Sequence, residues 1–427
     1  MTGFLVLLCV VGLVLINVPI AVSLCIASVI AMLATQGTGS LPNVAIALYQ
    51  GATSFPLIAI PLFILAAAIM NTSGISHRLI DFCQALVGWM RGALAQVNVL
   101  SHMFFAEISG SAVAGVAATA SIIMPAMKER GYPGPFTAAV TSSTATLAII
   151  LPPSIPMILY AVMAGASVVQ MFVAGLVPGL LTGFGFMALC YWYALRFNWP
   201  VEEIFQWGKL WRAFKHAFWA LTLPMIILGG IFGGIVTATE GAALAVLASL
   251  LVGGLVYREL NWARLREAII DGAVQTGSVM LLVAASALLG LYLTEVQLPQ
   301  RIAAAMLSVT SEKWAILAIL NVFFLVIGMF LHSAAAIILV VPIVMPVVTA
   351  AGIDPIHFGV IVTLNLAIGQ QTPPVASVLL LTCSIAKESV WDVTKANIPF
   401  IGVLLFTLLM VTYVPFVTLG LVNFLYR

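Results

Sequence analysis

The sequence predicts an all-α, polytopic membrane protein built from two inverted repeats, each of about five spans plus one re-entrant hairpin. Composition, an internal repeat and the placement of charge each point there. Of 427 residues, 63% are hydrophobic and 7% charged. The mean hydropathy of +1.19 exceeds what a soluble core needs. An offset of 221 residues carries Met124-Pro125 onto Met345-Pro346, Gly131 onto Gly352, Pro152-Pro153 onto Pro373-Pro374 and Gly12 onto Gly233. Lys128 and Arg130 have neutral mates, Thr349 and Ala351, while Arg258, Arg264 and Arg266 sit in a loop whose mate, 35–43, is uncharged. By the positive-inside rule, matching loops then lie on opposite sides of the membrane, so the repeats are inverted.

Taken in order, the apolar segments are 2–34, 44–71, 92–127, 134–163 and 170–195, then 219–256, 274–293, 314–349, 357–384 and 396–425. The opening run lacks a basic start and a small-residue cleavage site, and reads as a retained span rather than a signal peptide. Inversion demands an odd number of crossings per repeat. Asn17-Val18-Pro19 bends the first segment into two short tilted spans, and Thr237-Ala238-Thr239-Glu240 bends its mate. Each is then nearer 15 residues than the usual ~20. Segments 92–127 and 314–349 read as re-entrant hairpins, which leaves five crossings per half and places 13 of the 16 Lys and Arg on one side, with Arg301, Lys313 and Arg427 on the other. The first repeat is 1–196 and the second 219–427. Between them, 197–218 carries Lys209, Arg212 and Lys215 among tryptophans and reads as an amphipathic cytoplasmic linker. Two further amphipathic stretches, 77–91 and 300–313, precede the hairpins and would lie flat at the interface.

The stretch 148–155, Ala-Ile-Ile-Leu-Pro-Pro-Ser-Ile, recurs as Gly369-Gln370-Gln371-Thr372-Pro373-Pro374-Val375-Ala376. Paired prolines remove backbone donors and break the helix. In lipid such a break survives only where freed carbonyls face protein, a cavity or an ion. Two broken helices at matching positions of two repeats point to a transporter's binding site. Ahead of each break lies a candidate hairpin tip, Ser109-Gly110-Ser111-Ala112-Val113-Ala114-Gly115 and Gly328-Met329-Phe330-Leu331-His332-Ser333. Small residues at the first tip also suit plain helix packing. The ligands on offer are carbonyls and hydroxyls with almost no carboxylates, which suits a monovalent cation such as Na⁺ rather than Ca²⁺. Half-helix N-termini after the breaks offer N–H groups to an anion, with Ser154 at the first and Ser377 near the second. Candidate substrate contacts are Ser111, Ser154, His332, Asn365 and Ser377. Glu107, Glu240, His102 and His332 are intramembrane ionisable residues, functional by default although pairing or capping is the ordinary alternative. His357, after Asp354-Pro355, reads as structural.

Other classes fall away. No basic cluster interleaves with aromatics, so nucleic acid is not a partner. Cys9, Cys25, Cys83, Cys190 and Cys383 lie in or beside apolar segments without CxxC spacing, and read as packing residues. The chain holds no G-x-S-x-G, H-E-x-x-H or P-loop, so neither an enzyme nor an ATP-driven pump is indicated, and no cofactor is called for.

The runs Ser109-Gly110-Ser111-Ala112-Val113, Pro152-Pro153-Ser154-Ile155-Pro156, Gly352-Ile353-Asp354-Pro355-Ile356-His357-Phe358-Gly359 and Asn365-Leu366-Ala367-Ile368-Gly369 with Thr372-Pro373-Pro374-Val375 resemble the large membrane subunit of the TRAP (tripartite ATP-independent periplasmic) transporters. The resemblance covers essentially the whole chain. It implies an elevator-type ion-transporter fold and a Na⁺-driven importer in a bacterial inner membrane. Its implied partners are a small four-helix membrane subunit, a periplasmic substrate-binding protein, membrane lipid and a small carboxylate substrate. It also implies one sodium site around Ser109, Ala148, Leu151 and Pro153, and another around Gly328, Gly369, Thr372 and Val375. The repeat offset maps Ala148 onto Gly369 and Leu151 onto Thr372, so symmetry and resemblance agree. Three departures stand out: Ala148 where the family usually has glycine, His332 where an acidic residue is common, and Gln370-Gln371 in place of a more apolar pair, followed by Ala376-Ser377 where glycine is usual.

The reading is a secondary transporter subunit coupling Na⁺ entry to uptake of a small organic anion. The alternatives are a self-sufficient Na⁺ or H⁺ carboxylate symporter working without a binding protein, a channel, and a membrane-embedded enzyme.

Overall fold

The structure, a computed structural model, describes residues 2–16, 18–199, 201 and 204–426, without the side chains of Thr2, Leu15, Ile108, Ser109 and Ala118. Asn17 of the first expected bend and Arg427 lie outside the described residues. The first half contains α1 Thr2–Leu15, α2 Ile20–Gln36, α3 Leu41–Ala52, α4 Ala59–Thr72, α5 Ile75–Val87, α6 Ala93–Ser109, α7 Ala112–Glu129, α8 Gly134–Ala145, α9 Leu147–Ile150, α10 Ile155–Ala164 and α11 Val168–Arg196. The second contains α12 Trp207–Phe232, α13 Ala238–Leu251, α14 Trp262–Glu295, α15 Leu298–Val309, α16 Lys313–Phe330, α17 Ser333–Ala350, α18 Pro355–Gly369, α19 Ser377–Ala386, α20 Val390–Tyr413 and α21 Phe416–Tyr426. Among the described residues, nine helical segments are long and apolar enough to cross a membrane. The protein is an all-helical, multi-pass membrane protein.

The 221-residue offset is visible helix by helix. Shifted by it, α7 falls on Ser333–Ala350, which is α17, and α10 falls within one residue of α19. The informative exception is α14. Its first-half mates are two helices, α3 and α4, separated at Ser54-Phe55-Pro56, whereas the matching residues of α14 are Gln275-Thr276-Gly277. Without a proline to break the backbone ladder, the second half runs on as one 34-residue helix. That helix begins well before the expected segment 274–293. Two other boundaries differ from expectation. The stretch 197–218 contributes its second half to α12, which runs unbroken into the membrane-length helix. The closing segment 396–425 is two helices, because Pro415 biases Val414 out of helical conformation (φ −122, ψ 81).

Two groups of helices result. In one, α14 packs against α2, α3 and α4, α13 against α4, and α12 against α13, around a core that includes Leu24, Met32, Leu289 and Tyr292. In the other, α16 packs on α18, α17 on α10, α8 on α19 and α20, and α11 on α20 and α21. The short amphipathic helices stand between them, α5 touching α12 and α6, and α15 touching α14 and α17. Lipid is as apolar as leucine, so burial of hydrocarbon does not hold these helices together; close packing and internal polar bonds do. Helix α8 follows that rule. From Phe136 to Ala145 every residue is buried, polar ones included. Its hydroxyls bond back along the helix, Thr141 to the Thr137 carbonyl at 2.9 Å and Thr144 to that of Val140 at 2.7 Å. A helix this polar is stable at membrane depth because its neighbours screen it from lipid.

Candidate functional site

Two successive helix pairs, α6–α7 and α16–α17, are each joined by a turn of two residues. At the first turn Gly110 takes a left-handed conformation, φ +57, and Ser111 is extended and caps α7, its Oγ accepting from the Ala114 N–H at 3.5 Å. A Cβ at Gly110 would stand 2.7 Å from the Pro153 carbonyl oxygen, so only glycine fits a tip seated this closely. The Ile155 N–H donates to the Gly110 carbonyl at 3.3 Å. The first tip therefore rests on the first break, where α9 ends, Leu151 is extended and the Pro152-Pro153 bond is cis.

The second half repeats this arrangement with its own geometry. The Val375 N–H donates to the Met329 carbonyl at 3.2 Å, and the Pro373-Pro374 bond is cis. Here the backbones touch: a Cβ on Gly369 would lie 2.3 Å from the Gly328 carbonyl carbon. Ala148, the mate of Gly369, sits inside α9 without a left-handed φ, so alanine costs nothing there. Ala376 does adopt a left-handed φ of 41°, which carries a penalty for any residue with a Cβ.

Both tips and both breaks open on one cavity of about 460 Å³. The tips contribute Gly110, Ser111, His332 and Ser333; the breaks contribute Ile149, Ile155 and Gln370; the facing wall is Val274, Gln275 and Ser278 of α14 with Ile64 of α4. The N-termini of α7, α10 and α17 all end on it. No arginine or lysine is among its described lining residues. Positive potential at this described wall therefore comes from backbone N–H groups and helix dipoles.

Of the residues singled out from the sequence, Ser111 and His332 line the cavity. Ser154 does not; it is fully buried, capping α10 while its hydroxyl donates to the Ile149 carbonyl at 2.8 Å. Asn365 is a buried strut whose amide donates to Asn321 Oδ1 at 2.7 Å and to the Ile361 carbonyl. Ser377 opens α19 off the cavity. Ala148, Leu151 and Pro153 lie along the first break; Ser109 closes α6, its side chain outside the described residues. Gly328, Gly369, Thr372 and Val375 cluster where the second tip meets the second break, with the Thr372 N–H donating to the Gly369 carbonyl at 3.0 Å and its hydroxyl to that of Ile368 at 2.9 Å. Among the described residues no three His, Cys, Asp or Glu gather as a metal cluster.

Glu240, His102, Asp354 and His357 hold structure. Glu240 completes a capping box with Thr237, its Oε2 accepting from the Thr237 N–H at 2.8 Å. His102 bridges α6, α7 and α8, Nδ1 lying 2.9 Å from the Asn98 carbonyl and Nε2 2.9 Å from Thr119 Oγ1. Asp354 caps α18, and His357 Nδ1 meets Thr418 Oγ1 at 2.8 Å. Glu107 sits near the first tip but does not line the cavity.

Gln370, Ser333, Gln275 and Ser278 line the cavity and were not among the substrate contacts expected from sequence. Gln275 and Ser278 carry a readable signal, two polar side chains three residues apart, and so on one face, where the charged start of α14 gives way to its apolar run. Gln370 and Gln371 divide the labour of the second break. Gln371 accepts from the Ser142 hydroxyl and from Asn397 Nδ2 at 3.1 Å, and returns a bond to the Ser142 carbonyl at 2.8 Å. Ser143 donates to Asn397 Oδ1 at 2.5 Å. This buried network ties the second break to α8 of the first repeat and to α20.

Comparison with known proteins gives a consistent picture. The family model for the tripartite ATP-independent periplasmic transporter, DctM component, matches residues 7–417. The chain is 40% identical over 419 residues to the isethionate TRAP transporter permease protein DctMQ of Oleidesulfovibrio alaskensis, covering 97% of this chain and 64% of that longer protein. It is 38% identical over 430 residues to the C4-dicarboxylate TRAP transporter large permease protein DctM of Vibrio cholerae, covering 96% and 95%. In fold it is similar to the crystal structure of the Alcanivorax borkumensis YdaH transporter, with a TM-score of 0.65 at 16% identity over 91% of this chain and 90% of that one.

Proposed function

Because the chain belongs to the tripartite ATP-independent periplasmic transporter family, as its DctM component, we propose that it is the large permease subunit of a Na⁺-coupled importer of a small organic anion. As a TRAP permease it is a multi-pass protein of the bacterial inner membrane. One observation carries the proposal: both tips and both breaks meet at a single cavity onto which three helix N-termini point. Such an arrangement holds an anion with N–H groups already oriented, at little reorganisation cost. The substrates in the names of its relatives, isethionate and C4-dicarboxylates, are organic anions.

Sodium enters as cargo. The carbonyls around Leu151 and Pro153, and those around Gly328 and Gly369 with the Thr372 hydroxyl, are neutral oxygens of the kind a weakly held monovalent cation takes. Two positive ions beside the cavity would offset the charge of a bound anion, and each would be held better when the other ligand is present. The two helix groups favour an elevator motion, in which α6–α11 with α16–α21 carries the cavity across the membrane against α1–α4 and α12–α14. The proposed partners are a small membrane subunit and a periplasmic binding protein that delivers substrate. Uptake of labelled carboxylates into proteoliposomes tests this: omission of Na⁺ or of the binding protein abolishes it. Uptake by this chain alone would instead favour a self-sufficient symporter.

A further inference from the structure

Gln370 is 1% exposed, and both ends of its carboxamide, Nε2 and Oε1, lack a hydrogen-bond partner within the protein although the residue lines the cavity. Its neighbour Gln371 is bonded at both ends, so the contrast is not a general property of this break. Buried polar groups are paired as a rule, and a carboxamide left unpaired and closed off at the wall of a binding cavity gains its partners when the side chain turns onto a ligand there. The two atoms ask for different things. Nε2 can be served by any oxygen of an organic anion. Oε1 only accepts, and neither a carboxylate, a sulfonate nor a ketone can donate to it.

We propose that Gln370 is a specificity-determining residue that selects organic anions carrying a hydrogen-bond donor, a hydroxyl group, over those carrying acceptors alone. This rests on the cavity being the substrate site of the proposed importer. A hydroxy acid fits the carboxamide because it presents a donor and an acceptor side by side, the hydroxyl to Oε1 and an acid oxygen to Nε2. The keto acid of the same skeleton pairs with Nε2 and leaves Oε1 stranded. A site built to bond a hydroxyl rejects the analogue that lacks it far more strongly than an apolar pocket rejects an extra methylene.

The test uses the purified chain with its small membrane partner, in detergent and NaCl, titrated with lactate, pyruvate and propionate and with malate and succinate. Ligand-induced thermal stabilisation is the readout, since a ligand that binds the native state raises its melting temperature. The expected result is stabilisation by lactate at roughly tenfold or more lower concentration than by pyruvate or propionate, and by malate likewise against succinate. In Gln370→Leu that ratio falls to about one, with the weaker ligands still binding, while Gln370→Asn keeps part of it. A wild-type ratio near one, or a full ratio retained in Gln370→Leu, overturns the proposal and leaves the importer reading standing. Stabilisation by none of the five anions contradicts the cavity as an organic-anion site, and the proposal falls with it.

Discussion

Gln370 and Gln371 are neighbours in sequence, yet their side chains meet different surroundings, and their substitution should separate binding from folding. Gln371→Leu strands Ser142 and Asn397 inside the protein, so a loss of about 1–3 kcal/mol is expected. It reads as a lower melting temperature whether or not ligand is present. Gln370→Leu removes no bond within the protein and takes away two unpaired buried polar atoms, so the ligand-free melting temperature should stay the same or rise. Gly369→Ala places a methyl against the Gly328 backbone and is expected to cost at least about 1–3 kcal/mol and to abolish transport. Ala148→Gly, at the matching position, should do neither. Ala376→Gly relieves a left-handed alanine and should stabilise by about 1 kcal/mol. Thr372→Val leaves insertion intact and raises the half-activating Na⁺ concentration about tenfold, equivalent to one modest contact. An unchanged Na⁺ titration in that variant removes Thr372 from the ion site. At this scale the sequence was least informative. Nothing in the letters says that Ser154 turns inward to the Ile149 carbonyl while Gln370 lines the cavity with its amide unpaired, because side-chain direction at a break depends on the local φ and ψ.

Whole elements were far more readable, since a helix announces itself through composition and a break through its prolines. The first turn, the two paired-proline breaks and the bend at Thr237 are marked by Gly110, Pro152-Pro153, Pro373-Pro374 and a capping box, whereas the second turn, Leu331-His332, has neither a left-handed glycine nor a side-chain cap. The continuity of α14 was legible too, from the absence in Gln275-Thr276-Gly277 of the proline that interrupts the first repeat, but the apolar run alone concealed it. That continuity matters because Gln275 and Ser278 put α14 on the cavity opposite the tips. If the tips move past α14, cysteines at Ser278 and Ser333, joined by a short bifunctional thiol reagent, should arrest uptake in a variant lacking Cys9, the exposed native cysteine. Either single cysteine should stay active after the same treatment. Full activity of the joined pair would contradict movement at this interface.

At the scale of the molecule, the repeat places two similar breaks around one cavity, and the departures from symmetry concentrate at the second. There the backbones of Gly328 and Gly369 touch, Gln371 straps the break to α8, and Gln370 opens on the cavity. Lys128 adds a tie between repeats, its ammonium donating to Glu388 at 2.7 Å and to the Ala386 carbonyl at 2.6 Å. Lys128 and the Gln371 network thus join the break-bearing helices of the two halves. The measurement that bears most directly on this account is uptake in proteoliposomes holding this chain, its small membrane partner and the cognate binding protein. Labelled organic anions would be supplied with and without an inward Na⁺ gradient, each component omitted in turn. The account predicts uptake that needs the gradient and every component, and that disappears in Gly369→Ala. Uptake that persists without sodium, or survives the methyl that Gly369→Ala forces between Gly328 and Gly369, would contradict it.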